Sequence, residues 1–137
     1  MSTKGFEVVE HTADWSLRVT GRDLPELFAN AATGMAHLLV SEPHKLPEDE
    51  VRNVSLEAYD TESLLVDWLG ELAYFAEVEQ LIFHSFERVT VSATALEATI
   101  RGAEAAEIDK HIKAVTYHDL EIRETADGLE ATIVFDV

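Results

Sequence analysis

No cysteine occurs in the 137 residues, which removes thiolate nucleophiles, zinc–thiolate sites and disulfides together. Any metal must then be held by oxygen or imidazole. No apolar run approaches the roughly 18 to 20 residues needed to span a bilayer. The polar, glycine-bearing start lacks the basic and apolar regions of a signal peptide, so the cytoplasm is the expected compartment. Cations are scarce as well: 10 Lys and Arg stand against 27 Asp and Glu, a formal net charge of -17. Such a surface repels phosphate backbones, because nucleic-acid affinity comes largely from Lys and Arg displacing condensed counterions. Direct, unassisted RNA or DNA binding is therefore not expected. The acidity is spread along the chain and is not gathered in a tail. A dispersed acidic excess beside four lysines points to a protein kept soluble in concentrated salt, where self-repulsion is screened over a few ångströms. A basic partner is the other source of such acidity. Also missing are a phosphate-binding loop, GxGxxG, a nucleophile elbow and HExxH.

What is present is a chain 47% hydrophobic, of single-domain length and able to bury a core without staples. Residues 5–10 and 15–21 read as strands from their β-branched, alternating pattern. Asp23 is an expected N-cap, with Pro25 and Glu26 in the first turn of a helix. That helix carries Leu24, Leu27, Phe28, Ala31, Met35, Leu38 and Leu39 at helical spacing. The segment 41–50, with two of the three prolines, breaks the pattern and is the best linker. Residues 51–58 alternate as a strand. Thr61 is then expected to cap a second helix with Leu64, Leu65, Trp68, Leu69, Leu72 and Phe75 along one face. FHSFERVTVSA and ALEATIRG read as a hairpin turning near 93–95. After a short alanine- and glutamate-rich turn or helix, IKAVTYHDLEIRET and LEATIVFDV form another across Asp127 and Gly128.

Residues 51–102 thus spell strand, helix, strand, strand. So do residues 14–39 followed by 112–137, with the first unit inserted between helix and second strand. The expected fold class is α+β: two nested strand-helix-strand-strand units, with two main helices packed on mainly antiparallel sheet. The single domain divides into an outer unit, 5–40 plus 112–137, and an inserted unit, 51–102. A parallel α/β fold would need stricter alternation of strand and helix.

The nesting bears on EHTADWSL, which sets Glu10, His11 and Asp14 at a strand entrance. Asp14 opens the first strand of the outer unit, and Asp136 closes its last. If those strands pair antiparallel, the two carboxylates become neighbours, with the α-carboxylate of Val137 beside them. Carboxylates so gathered repel unless a proton or cation intervenes, and hard divalent ions take such oxygen ligands. The plainer reading is that Asp14 caps a turn and Asp136 sits at a solvated end. His11 fits a ligand, a general base or an ordinary backbone hydrogen bond. In KAVTYH, residues 113–118, a strand would place Lys113, Val115 and Tyr117 on one face and Ala114, Thr116 and His118 on the other. Lys113 reads either as a functional cation or as a solvated charge balancing nearby acids. Tyr117 and Trp68 read as packing residues. A His11–Asp14 acid/base pair is conceivable for a hydrolase, without a third group of evident role.

Taken together, FEVVEHTADWSLRVTG, DLPELFANAATGM, LLVDWLGELAYFAEVEQLIF, IKAVTYHDLEI and ATIVFDV resemble the archease family, from about Phe6 to Val137. The combination of HTAD, KAVTYH and the terminal FDV is specific, whereas any one alone is weak. The resemblance implies a duplicated strand-helix-strand-strand fold. It implies a non-enzymatic protein cofactor of the RtcB-type RNA ligase, which joins tRNA halves after intron removal. Archeases promote transfer of GMP onto that ligase and sustain multiple turnovers. It further implies a divalent cation, calcium in the family, held at Asp14, Asp136 and Val137. Lys113, with His11 and His118 of the same motifs, becomes a candidate for contact with the ligase or its nucleotide. Modulation of a tRNA methyltransferase is a second role proposed for the family. A small metal-dependent hydrolase using His11, Asp14 and Asp136 is a third reading. Two departures stand out: Trp15 replaces a smaller aliphatic residue, and the connection 103–113 is shorter and less basic than in relatives.

Overall fold

A computed structural model describes residues 5–10 and 15–137. The strands are β1 (Phe6–Glu10), β2 (Trp15–Gly21), β3 (Glu50–Glu57), β4 (Leu81–Val91), β5 (Ala95–Glu104), β6 (Ala114–Thr116), β7 (Arg123–Thr125) and β8 (Gly128–Asp136). Two helices interrupt them, α1 (Leu24–Leu39) after β2 and α2 (Thr61–Glu79) after β3. One sheet runs β1-β2-β8, with β6 and β7 both along the far edge of β8. The other runs β3-β5-β4. Every pairing is antiparallel. The expected α+β class, two helices on antiparallel sheet, is the observed one.

Asp23 caps α1 as expected, its Oδ1 accepting the Glu26 N–H at 3.0 Å. The Glu26 carboxylate reaches back to the Arg22 N–H at 3.0 Å and to its guanidinium at 2.8 Å. Leu27, Phe28, Ala31, Met35, Leu38 and Leu39 are buried along the inner face, each large apolar side chain contributing about 1.5 to 3 kcal/mol. The helix presses closely on the first sheet at Gly34, where a Cβ would lie 2.7 Å from a Leu17 methyl.

The cap of α2 falls one residue earlier than the sequence pattern indicates. Asp60 Oδ1 accepts the Ser63 N–H at 2.7 Å. That acceptor holds the Asp60 carboxyl below its ordinary value, since bonding to the N–H favours the ionised form. Thr61 is the first helical residue, and its hydroxyl donates instead to Ala93 O at 2.8 Å, pinning the helix to the β4–β5 turn. Trp68 is fully buried and donates its indole N–H to Phe28 O at 2.9 Å, joining the two helices as a packing residue should.

Three further expectations change. The strand read through 113–118 shrinks to Ala114–Thr116, because the chain turns at Tyr117–Leu120, with a Leu120 N–H to Tyr117 O bond of 3.0 Å and Asp119 at φ 50°. Tyr117, 56% exposed on that turn, does not pack into the core. The alanine- and glutamate-rich connection forms no helix. Strand β5 extends through Glu104, and the following loop is tied down by Ala105 N–H to Gln80 O and Asp109 N–H to Leu39 O. The proline-rich segment 41–50 holds a short 3-10 turn at Pro43–Lys45 with Pro43 buried.

Candidate functional site

Strand β8 reads Ala131, Ile133 and Phe135 into the core. The two-residue period then leaves Asp136 exposed on the opposite face. Strand β2 pairs with it from Gly21↔Leu129 to Trp15↔Phe135. At that last rung the chain runs one residue outward to Asp136 on β8. On β2 the preceding residue is Asp14, which with His11 lies outside the described residues. On the other edge of β8, Ala114 stands opposite Asp136, and the Lys113 N–H donates to Asp136 O at 2.7 Å.

The fold therefore places at one end of one sheet two groups that are 23 residues apart in sequence and read there as separate clusters. Asp136 meets Lys113 directly through the main chain. Val137 is partly buried against the hydrophobic core, which fixes the backbone at this end. His118 is not brought there. Beyond the turn that follows β6, it is exposed, its Nε2 lies 3.2 Å from Oδ2 of its neighbour Asp119, and its backbone N–H donates to Thr116 Oγ1 at 3.3 Å. Asp119 lines a recess with Glu121, Arg123, Glu130, Ala131 and Thr132, farther down β8.

One neighbour escaped notice in the sequence. Lys110 Nζ sits 3.8 Å from the centroid of the Trp15 ring, a cation–π contact worth about 0.5 to 1 kcal/mol at a partly exposed position. Trp15, the unusual residue of the HTADW run, thus has an intramolecular cation as partner. The available signal was that Lys110 and Lys113 are two of only four lysines in the chain. Next to it, His111 Nδ1 lies 3.0 Å from Glu77 Oε2. Both side chains are thereby turned to other partners. The Asp136 carboxylate makes no ion pair and no side-chain hydrogen bond among the described residues.

That arrangement fits a hard divalent cation. The donors at hand are an unengaged carboxylate and a main-chain oxygen of Val137, with no soft atom in the set, and calcium takes such oxygens readily. Among the described residues, no group of three or more His, Asp or Glu converges as a complete ligand set. A third ligand from residue 14 would come from outside them. Also among the described residues, no helix is long and apolar enough to cross a membrane.

Comparison with known proteins places the whole chain. Residues 6–137 match the model of the Archease protein family (MTH1598/TM1083). The protein archease of Methanosarcina acetivorans is 37% identical over 142 residues, covering 98% of this chain and 97% of that protein. That of Pyrococcus abyssi is 37% identical over 133 residues, covering 91% and 92%. The solution structure of Methanobacterium thermoautotrophicum protein 1598 superposes with a TM-score of 0.82 at 30% identity, covering 98% of this chain and all of the other. A crystal structure of a Thermotoga maritima archease, described as a possible chaperone, shares the fold with a TM-score of 0.64 at 24% identity. From its strand register to its full-length sequence match, the chain belongs to the archease family.

Proposed function

We propose that this protein is a non-enzymatic activator of an RtcB-type RNA ligase, promoting ligase guanylylation and repeated turnover in the joining of tRNA exons. The observation that supports it best is the meeting of Lys113 with Asp136 at one end of the first sheet, where two of the three motifs that carry the resemblance converge. In this reading Asp14, Asp136 and Val137 hold a divalent cation, calcium by preference. The ion supplies a fixed positive charge at an otherwise acidic rim. Lys113 supplies a second cation beside it, anchored by its own backbone, which suits contact with the ligase or its nucleotide. His11 and His118 remain candidates for contact with the ligase or its nucleotide, His118 from beyond the turn that follows β6. Activation then requires tighter binding to the ligase state that accepts GMP, because a partner that binds all states equally shifts no population.

The test is guanylylation and multiple-turnover joining by the ligase, with and without this protein, in salt that keeps it folded. Asp136→Asn and Asp14→Ala should each lose stimulation while circular dichroism stays unchanged. Trp15, one rung from Asp136, gives a readout independent of the ligase: calcium titration should move its fluorescence, and Trp15→Phe should silence the change. Losing one charged ligand oxygen costs on the order of 1.5 to 3 kcal/mol, so Asp136→Asn should weaken calcium binding about 10- to 100-fold. Full stimulation by Asp14→Ala would remove the site assignment. Phosphoester turnover by the protein alone would favour the hydrolase reading instead, and a response seen only with a tRNA methyltransferase would favour that partner.

A further inference from the structure

Gly70 lies in the middle of the 19-residue helix α2, where glycine weakens a helix relative to alanine. The other five glycines have evident reasons, since a Cβ at each would collide with a neighbour. At Gly70 a Cβ would meet nothing within 4 Å, and the residue does not need positive φ. Nothing among the described residues therefore requires glycine here. The space above it belongs to a groove of about 350 Å³ lined by Leu56 of β3, Val115 of β6, and Val66, Asp67, Gly70 and Glu71 of α2.

The groove has apolar walls and two carboxylates one helical turn apart. Like charges at this spacing repel along a helix. At the same spacing, Arg22 and Glu26 are paired at 2.8 Å. Neither Asp67 nor Glu71 makes an ion pair or side-chain hydrogen bond among the described residues. A guanidinium suits this gap better than an ammonium: its planar fork can serve two carboxylates at once, while its stem lies along Val66, Leu56 and Val115. Val115 is two residues from Lys113 and pairs with Phe135, next to Asp136.

We propose that this groove is a socket for an arginine side chain presented by a protein partner, beside the candidate ion site. The identity of the partner as the ligase rests on the function proposed above, whereas the arginine chemistry does not. The experiment has two arms. In the first, N-acetyl-arginine methylamide is titrated into the ¹⁵N-labelled protein against the norleucine analogue. Saturable shifts at Gly70, Glu71 and Val115 with arginine alone are expected, weakened about tenfold in the Asp67→Asn/Glu71→Gln double variant as charge-assisted bonds are lost. No localised shifts, or equal shifts with norleucine, would overturn the socket. In the second arm, Gly70→Leu, shown folded by circular dichroism, should weaken capture of the ligase about tenfold by filling the space. Unchanged capture by Gly70→Leu overturns the socket as a docking surface. Asp136→Asn should abolish stimulation and leave the arginine shifts intact. A ligase that does not bind the wild-type protein refutes the ligase reading, and the arginine arm alone then decides the socket.

Discussion

Gly70→Ala should make the protein more stable. Alanine is favoured over glycine by about 0.8 to 1 kcal/mol in a helix interior, because glycine loses more backbone freedom on folding. Two terms could cancel that gain, and neither applies. The added methyl overlaps no atom of the described residues, and the backbone at Gly70 is not in the left-handed region. For a chain of this length, about 1 kcal/mol raises the melting temperature by roughly 3 to 5 °C. Thermal unfolding followed by circular dichroism, with urea titration as a second measure, reads the shift. Gly102→Ala is the matched control. Its Cβ would run into Ile82 O and come within 2.7 Å of Phe83 Cα, backbone atoms that cannot rotate away. That variant should lose about 1 to 3 kcal/mol through overpacking. If Gly70→Ala were neutral or destabilising, something in the chain would have to need that glycine. The inference that the space is kept for an outside side chain would then lose its ground.

Two other outcomes follow from the charges. The net charge of -17 makes carboxylate repulsion outweigh the exposed ion pairs, each worth about 0 to 1 kcal/mol. Because the Debye length falls from about 10 Å at 0.1 M to about 3 Å at 1 M salt, the unfolding midpoint should climb between dilute buffer and molar potassium chloride, and equal midpoints would refute the salt argument. The second concerns the cap of α2. The Asp60 carboxyl is held below its ordinary value by the Ser63 N–H, so its stabilisation is present in full above about pH 4, the unfolded value, and disappears as pH falls through the depressed folded value. Asp60→Asn keeps an acceptor for the same N–H but cannot titrate. The difference in urea midpoint between wild type and this variant should therefore shrink on acidification, and a difference constant from pH 6 to pH 2 would contradict it.

Much of the fold was legible because its signals are local and periodic. The apolar spacing of α1 and α2, the Asp23 cap and the Asp-Gly hairpin signal each reflect neighbours within a few residues, although the turn itself falls at Ala126–Asp127, with Gly128 opening β8. What the pattern misjudged depended on distant contacts. Asp60 and Thr61 are both good caps by type, and the choice between them is made by Ala93 O, which claims the Thr61 hydroxyl from 32 residues away. The KAVTYH run alternates well enough for a strand. Its end at Thr116 is set by the turn through Asp119 and by a partner strand already carrying β7 further along. The socket at Gly70 gives no sequence signal beyond a glycine in a helix, since its walls come from β3 and β6.

The candidate ion site shows the same division between local and distant information. Antiparallel pairing of β2 with β8 was readable, and the register Trp15↔Phe135 follows from the buried faces of both. Unreadable was whether a cation of the chain would pair with Asp136. In a protein this acidic, the few cations could have neutralised any exposed carboxylate, and a neutralised Asp136 would bind an ion poorly. The structure disposes of them differently. Lys110 lies on the Trp15 ring, His111 lies against Glu77, and Lys113 touches Asp136 through its backbone N–H. A main-chain contact of that kind fixes position without cancelling charge. Among the described residues neither side chain has an ion pair, which in the proposed reading leaves the carboxylate to an external cation and the lysine to an anionic group on a partner. A tryptophan at position 15 thus fits beside the proposed site, since its ring, one rung from Asp136, engages the Lys110 ammonium.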